Sequence, residues 1–262
     1  MKNSKISWTT NTWNPVTGCT KISPGCDHCY AFTIAERMRG SAAFPHGFDL
    51  TLRPKKLKDP AKWSPGMVFV NSMSDLFHRE IPEDYLRQIW DTMVAADQHQ
   101  YQVLTKRPHR MAHVIEKLRL PLPSHIWLGV SVENQTFADN RIPALLSIPS
   151  PSRFLSCEPL LGSLDLWRYL PNIQWVIDGG ESGAGRRPAD YNWFRDLRRQ
   201  CQVSGVLYYH KQGNHFWSGQ DEFLDGQKWQ AYPPAMANLT TPTNAWPHSG
   251  RMRQSCSQWQ ST

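Results

Sequence analysis

The 262-residue chain has little cysteine outside one short stretch, no long apolar run and no run of five or six basic residues. Each absence excludes something. No segment approaches the roughly 20 apolar residues that a membrane-spanning helix needs. The stretch Met1–Trp13 is polar and lacks the apolar core of a secretory signal, so a cytoplasmic protein with no membrane partner is expected. Neither the G-x-G-x-x-G order nor the Gly-Lys-Ser/Thr ending of a P-loop occurs, which removes two common phosphate cradles. G-x-S-x-G is also missing, and with it the nucleophile elbow of a serine hydrolase. No internal repeat, zinc finger or appended RNA-binding domain stands out.

What is present is a mildly basic, core-forming chain. There are 29 Lys and Arg against 22 Asp and Glu, a formal charge of +7, with 40% hydrophobic residues, 12 Trp and 10 Phe. The charge favours an anionic partner such as a nucleotide or nucleic acid, while an ordinary basic surface would look the same. From Met67 onward short β-branched runs alternate with helix-like segments, the pattern of βα units. Strands are expected over Met67–Met73, Tyr101–Lys106, Ile126–Val132, Arg153–Glu158, Ile173–Ile177 and Val206–His210, with an earlier one inside Ile6–Thr17. Helices are expected over Tyr30–Met38, Pro82–Ala96, His109–Leu118, Thr136–Leu146 and Tyr191–Gln202. The strands are short and continuously apolar, as in a sheet covered on both faces. The expected fold class is α/β: a single, partial or complete parallel (β/α) TIM-like barrel over residues 1–231. An irregular C-terminal extension, 232–262, follows, rich in Pro, Thr, Asn, Gln and Ser. An open doubly wound sheet is the alternative.

Three of the six cysteines, Cys19, Cys26 and Cys29, fall within eleven residues. Such a thiol set binds zinc or an iron–sulfur cluster. A structural zinc needs a fourth ligand, for which His28 and His46 are nearby. A four-iron cluster on three thiolates leaves one iron open to a small molecule. Of the remaining cysteines, Cys157, Cys201 and Cys256, two read as packing residues. In a parallel barrel all strand C-termini open on one face, and here they carry Asn71, Ser72 and Asp75; Lys106 and Arg107; Ser131 and Glu133; Cys157 and Glu158; Asp178, Gly179, Gly180 and Glu181; and His210 and Lys211. Asp75 and Glu133 could equally cap helices, and His210 could point into the barrel wall. A thiol at Cys157 beside Glu158 could donate a hydrogen atom or a proton, or be inert core. Lys106 and Lys211 offer acid–base or anion-binding groups, as do Arg186 and Arg187. The run Gly179–Arg187 lets a ligand approach the backbone.

The segments Trp13–Cys19, Pro24–Ala31, Asn71–Phe77, Leu104–Pro108, Gly129–Asn134, Ser156–Leu160, Gly179–Gly183, Lys211–Gly213 and Leu224–Gly226 resemble a family of phage-associated and bacterial proteins. That family is itself similar to the radical S-adenosylmethionine enzymes. The resemblance spans roughly Trp13 to Trp229. It implies a [4Fe-4S] cluster on Cys19, Cys26 and Cys29 whose open iron binds S-adenosylmethionine. Six and two residues separate these cysteines, where the superfamily usually has three and two, which implies a longer cluster loop. One electron, from a reductant such as flavodoxin or ferredoxin, would yield a 5′-deoxyadenosyl radical that abstracts hydrogen from substrate. Cofactor contacts are expected at Asn71, Ser72, Asp75, Ser131, Glu133, Gly179, Gly180 and Glu181, and substrate chemistry at Cys157, Glu158, Lys106 and Lys211. Two other classes compete. One is a zinc-bearing nucleic-acid-binding protein; the other is a metal-independent barrel hydrolase using Asp75, Glu133 or Glu158 as acid and base.

Overall fold

The structure, a computed structural model, describes residues 4–237 and Leu239. Seven strands form one all-parallel sheet: β1 (Asn11–Trp13), β2 (Met67–Val70), β3 (Gln100–Thr105), β4 (Ile126–Ser131), β5 (Arg153–Cys157), β6 (Trp175–Asp178) and β7 (Leu207–His210). Their order in space is their order in the chain. Crossovers of one hand that always step the same way place the crossover helices on one face, whereas the short helix Pro234–Ala237 packs on the other through Met236. The sheet therefore curls into a half-barrel, and no pairing joins β1 to β7 among the described residues. A doubly wound sheet would require the strand order to reverse, which it does not.

The helices are α1 (Tyr30–Arg37), α2 (Glu83–Ala95), α3 (Pro108–Lys117), α4 (Gln135–Leu146) and α5 (Tyr191–Val203). In α2, Tyr85, Leu86, Ile89, Trp90 and Met93 recur at helical spacing and are buried, a stripe that packs on the sheet's convex face. Glu83 and Asp84 sit in its first turn, where the free N–H groups favour negative charge. Asn134 caps α4 by accepting from the Phe137 N–H, and Asp190 caps α5 through the Asn192 N–H. No α-helix separates β5 from β6; that crossover is irregular apart from a short turn at Leu170–Asn172.

The concave face is closed at its lower end by aromatic side chains. Trp8, Phe69, Trp127, Phe154, Trp175 and Tyr209 form one buried cluster with Met67, Ile177 and Met236. Each such ring removes about 150–250 Å² from water, so this floor contributes strongly to stability. Tyr232 donates to the Ser7 carbonyl at 3.0 Å, and Met236 is fully buried. Residues 232–237 thus belong to the floor, although they were expected to start an irregular extension. The rest of that extension, apart from Leu239, and with it Cys256, lies outside the described residues. Among the described residues no helix is long and apolar enough to cross a membrane.

Candidate functional site

The cysteine loop leaves β1 and crosses the C-terminal rim of the sheet. Gly18, at φ 87°, turns the chain where a Cβ would collide with the Phe48 and Asp49 carbonyls, and its N–H donates to the Met73 carbonyl at 2.9 Å. Pro24–Cys26 forms one tight turn, and Cys29 stands at the start of α1. Cys19, Cys26 and Cys29 are all free and half-buried. Arg107 Nη1 lies 3.5 Å from Cys19 Sγ. Burial pushes the Cys19 thiol up, with Arg107 acting against it. Ser23 Oγ is 3.7 Å from Cys26 Sγ. Among the described residues no three His, Cys, Asp or Glu side chains stand close enough to share one metal ion, so the three thiols lie on one loop without converging. Thiolates are the ligand type that iron–sulfur clusters and zinc take, and these three share one rim loop beside a cationic donor, but their present spacing is not that of a ligand set.

Three strand ends clamp this loop. From β4, the fully buried Glu133 accepts from Ser23 Oγ at 2.7 Å and pairs with Lys106 Nζ at 2.9 Å and Arg141 Nη1 at 3.3 Å. Burial drives its carboxyl up, but Lys106, Ser23 and Arg141 together outweigh that and hold it below the usual glutamate range. Gly25 lies against this carboxylate so closely that a Cβ there would come within 2.5 Å of it. From β2 and β3, Asp75 accepts from Thr105 Oγ1 at 2.7 Å, the Phe77 and Lys106 N–H groups at 3.0 Å each, and Arg107 Nη1 at 2.8 Å. Arg107 in turn donates to the Thr20 carbonyl at 2.9 Å. Asp75 therefore holds the cation that faces Cys19, and its acceptor sites are filled.

The third clamp comes from the glycine-rich run after β6. Glu181 is paired with Arg187 through the guanidinium and through the Arg187 N–H at 2.8 Å, and His28 Nδ1 lies 2.9 Å from its Oε2. Arg187 Nη2 also donates to the Pro24 carbonyl at 2.8 Å. Burial raises the Glu181 carboxyl, but the Arg187 and His28 hydrogen bonds prevail and bring it down to about 2. A depressed carboxylate stabilises the fold fully above its unfolded value, about 4.3, and this contribution fades as pH falls toward 2. The melting-temperature gap between wild type and Glu181→Gln is expected to be widest near pH 6 and to close across that window. A gap that stays constant with pH would show that the clasp contributes nothing to docking the loop.

Side-chain alternation then sorts the remaining residues. Phe154 and Ile177 face the concave side, whereas Leu155, Cys157 and Val176 belong to the core under the helices. Glu158, one residue beyond Cys157, comes back to the rim and pairs with Lys211. A Cβ on Gly179 would meet the Glu158 carboxyl carbon at 3.4 Å, so the glycine keeps this corner open. A Cβ on Gly180 would come within 2.7 Å of the Gly213 carbonyl oxygen, so the glycine admits that backbone, and Gln212 Nε2 donates to the Gly180 carbonyl at 2.9 Å. Asn71 is 2% exposed at φ 61°, and neither its amide oxygen nor its amide nitrogen has a partner; Glu133 Oε2 is likewise buried and unpartnered. Ser72 exchanges hydrogen bonds with the Asn14 amide, and Ser131 is buried where β4 meets the rim.

Three expected residues, Cys157, Asp178 and His210, do not join the rim. Cys157 is fully buried on the helix side, with its thiol pushed up by burial and by Asp178. It therefore cannot reach a substrate on the concave face without rearrangement. His210 faces the same way, its Nδ1 2.7 Å from Asp178 Oδ1, while Tyr208 donates to Asp178 Oδ2 at 2.5 Å. Ser23, Thr20, Asn14 and Arg141 were not legible as site residues. Only Ser23 and Thr20, inside the cysteine loop, had a positional signal.

The chain belongs to the family described as "Protein of unknown function (DUF5131)", whose model matches residues 3–233. No curated protein and no solved structure matches it.

Proposed function

We propose that this member of the DUF5131 family is an iron–sulfur radical S-adenosylmethionine enzyme built on a partial TIM-like barrel, acting on a nucleotide or nucleic-acid substrate. One observation carries the proposal: a loop with three free thiols is clamped by carboxylates and cations from separate strands over the open end of a parallel half-barrel. Cys19, Cys26 and Cys29 would hold a [4Fe-4S] cluster. When bound, cluster and S-adenosylmethionine together supply reductive cleavage of the sulfonium and removal of a hydrogen atom from substrate.

The protein's own residues do the rest. Glu133, Arg107 and the Glu181–Arg187 pair position the loop. The unpartnered amide of Asn71 and the free oxygen of Glu133 offer buried polar contacts to a cofactor, since an unmade buried hydrogen bond is costly and a ligand would complete it. Lys211 and Glu158 form a paired acid and base at the mouth. The aromatic floor keeps water from entering below. A ferredoxin or flavodoxin would deliver the electron.

The test is anaerobic reconstitution with iron and sulfide followed by reduction in the presence of S-adenosylmethionine. Release of 5′-deoxyadenosine and methionine is expected. One tightly held zinc with no cleavage would move the assignment to a structural metal site, and hydrolytic activity that survives loss of all three clustered cysteines would move it to a hydrolase.

A further inference from the structure

The loop after β7 closes the rim next to the glycine-rich run, and it is a built element. The Gly213 N–H donates to the Asp221 carbonyl at 2.7 Å. Gln212 Oε1 accepts from the Gly219 N–H at 2.7 Å and from Ser218 Oγ at 3.3 Å. Asn214 Nδ2 ties the loop to the Arg187 carbonyl at 2.7 Å and the Glu181 carbonyl at 3.2 Å. This fixed loop presents two large aromatic side chains to solvent. Trp217 is 67% exposed and Phe216 43%, and their rings meet edge to face with centroids 4.7 Å apart.

A cation stands on the same anchor. Gly183, at φ 102°, donates its N–H to the Phe216 carbonyl at 2.9 Å, and its own carbonyl accepts from Arg186 Nη1 at 3.0 Å. Arg186 Nε is shielded from solvent and has no partner, while the side chain as a whole is half-buried. The neighbouring carboxylates are already engaged, Glu181 by Arg187 and Asp221 by the Tyr191 hydroxyl. An exposed indole and phenyl near an arginine that pairs with no carboxylate among the described residues, on a chain of net charge +7, suit a planar base with an adjacent phosphate. Stacking on aromatic side chains with a cation along the backbone is how single strands are held, whereas a duplex hides its base faces.

We propose that Trp217, Phe216 and Arg186 form a stacking lip for single-stranded nucleic acid, with a base on the face of Trp217, Phe216 at its edge, and a phosphate on Arg186. This rests on the rim being the reactive mouth, and it narrows the substrate to a polymer with unpaired bases.

Fluorescence anisotropy with labelled twelve-nucleotide DNA and RNA single strands, and with the matching duplexes, tests it on the full chain. The wild type is expected to bind a single strand over its duplex. Trp217→Ala is expected to weaken that binding by roughly 5- to 150-fold, the range for loss of one stacked base, and to leave the salt dependence unchanged. Trp217→Phe should recover most of it. Arg186→Gln should weaken binding and reduce the salt slope by about 0.7, the value for one phosphate on a single strand. The DNA and RNA arms separate the two sources of the strand. Circular dichroism melts would show that the exposed substitutions leave the fold intact. Absence of oligonucleotide binding, equal binding of duplex, or Trp217→Ala indistinguishable from wild type would overturn the lip. Binding needs neither iron nor S-adenosylmethionine, so it can fail while cofactor cleavage succeeds, or succeed while cleavage fails.

Discussion

Cys26→Ala is expected to reduce iron retention after anaerobic reconstitution from about four atoms per chain to a small residue, and to abolish 5′-deoxyadenosine formation. The physical ground is ligand count. Three thiolates on one loop are the smallest set that holds a four-iron cluster and leaves one iron open, and the two left after the substitution do not suffice. Cys19 and Cys29 replacements should behave alike, because Arg107 serves only Cys19 and cannot compensate for a missing ligand. Cys201→Ala and Cys157→Ala are the controls. Both thiols are fully buried under the helices, so both variants should keep iron and cofactor cleavage while losing some stability to the cavity. Iron analysis, visible absorption and product chromatography read the result. If Cys26→Ala retains about four irons, the loop is not the ligand set; if Cys157→Ala alone loses cleavage, the helix-facing placement of that thiol does not describe the working protein.

Much of the architecture was legible because its signals are local. Six expected strands from Met67 onward appear within three residues of their expected bounds; Asn134 and Asp190 cap their helices with side-chain oxygens, and Pro108 opens α3 at a position where its missing N–H would have had no partner. Strand ends overran where a residue leaves the ladder while staying apolar or polar in the expected way, as Asn71 does at positive φ. The regular βα rhythm expected from Met67 onward is interrupted between β5 and β6, where no α-helix forms. Which face a strand residue takes was harder to see. Both faces of β5 are apolar, so the alternation Phe154, Leu155, Ser156, Cys157 does not say which side is concave, and a rim role for Cys157 read as well as a core one. Pairings such as Lys106 with Glu133, 27 residues on, or Ser23 with Glu133, 110 residues on, exist only once the strands are ordered. The Phe216–Trp217 pair carried no motif, and its meaning comes from exposure on a fixed loop.

Glu133→Ala is expected to cost about 3–5 kcal/mol of folding stability, the usual result of removing one partner from a buried charge group. Arg141 keeps only 3% of its side chain exposed and Lys106 18%, so both cations would remain in a low-dielectric site with their shared counter-charge gone. Ser23 would lose its acceptor, which links the stability effect to the site, since Ser23 and Gly25 hold the cysteine loop on this carboxylate. Faster proteolysis within residues 19–29 and slower iron loading should therefore accompany the lower melting temperature. Glu133→Gln separates shape from charge. It keeps an acceptor for Ser23 and should dock the loop, while losing the compensation of Lys106 and Arg141. The pH dependence follows from the direction of the shift. A carboxyl held below its ordinary value stabilises the fold above about 4.3 and loses that contribution as pH falls through its folded value, so the wild type should converge on Glu133→Gln in acid and exceed it near neutrality. Chemical denaturation of the three proteins at pH 7 and along a series falling from pH 5 to pH 2 measures both effects. Equal stability of wild type and Glu133→Ala at pH 7 would mean that the two cations find water or other partners, and that Glu133 does not hold the rim together.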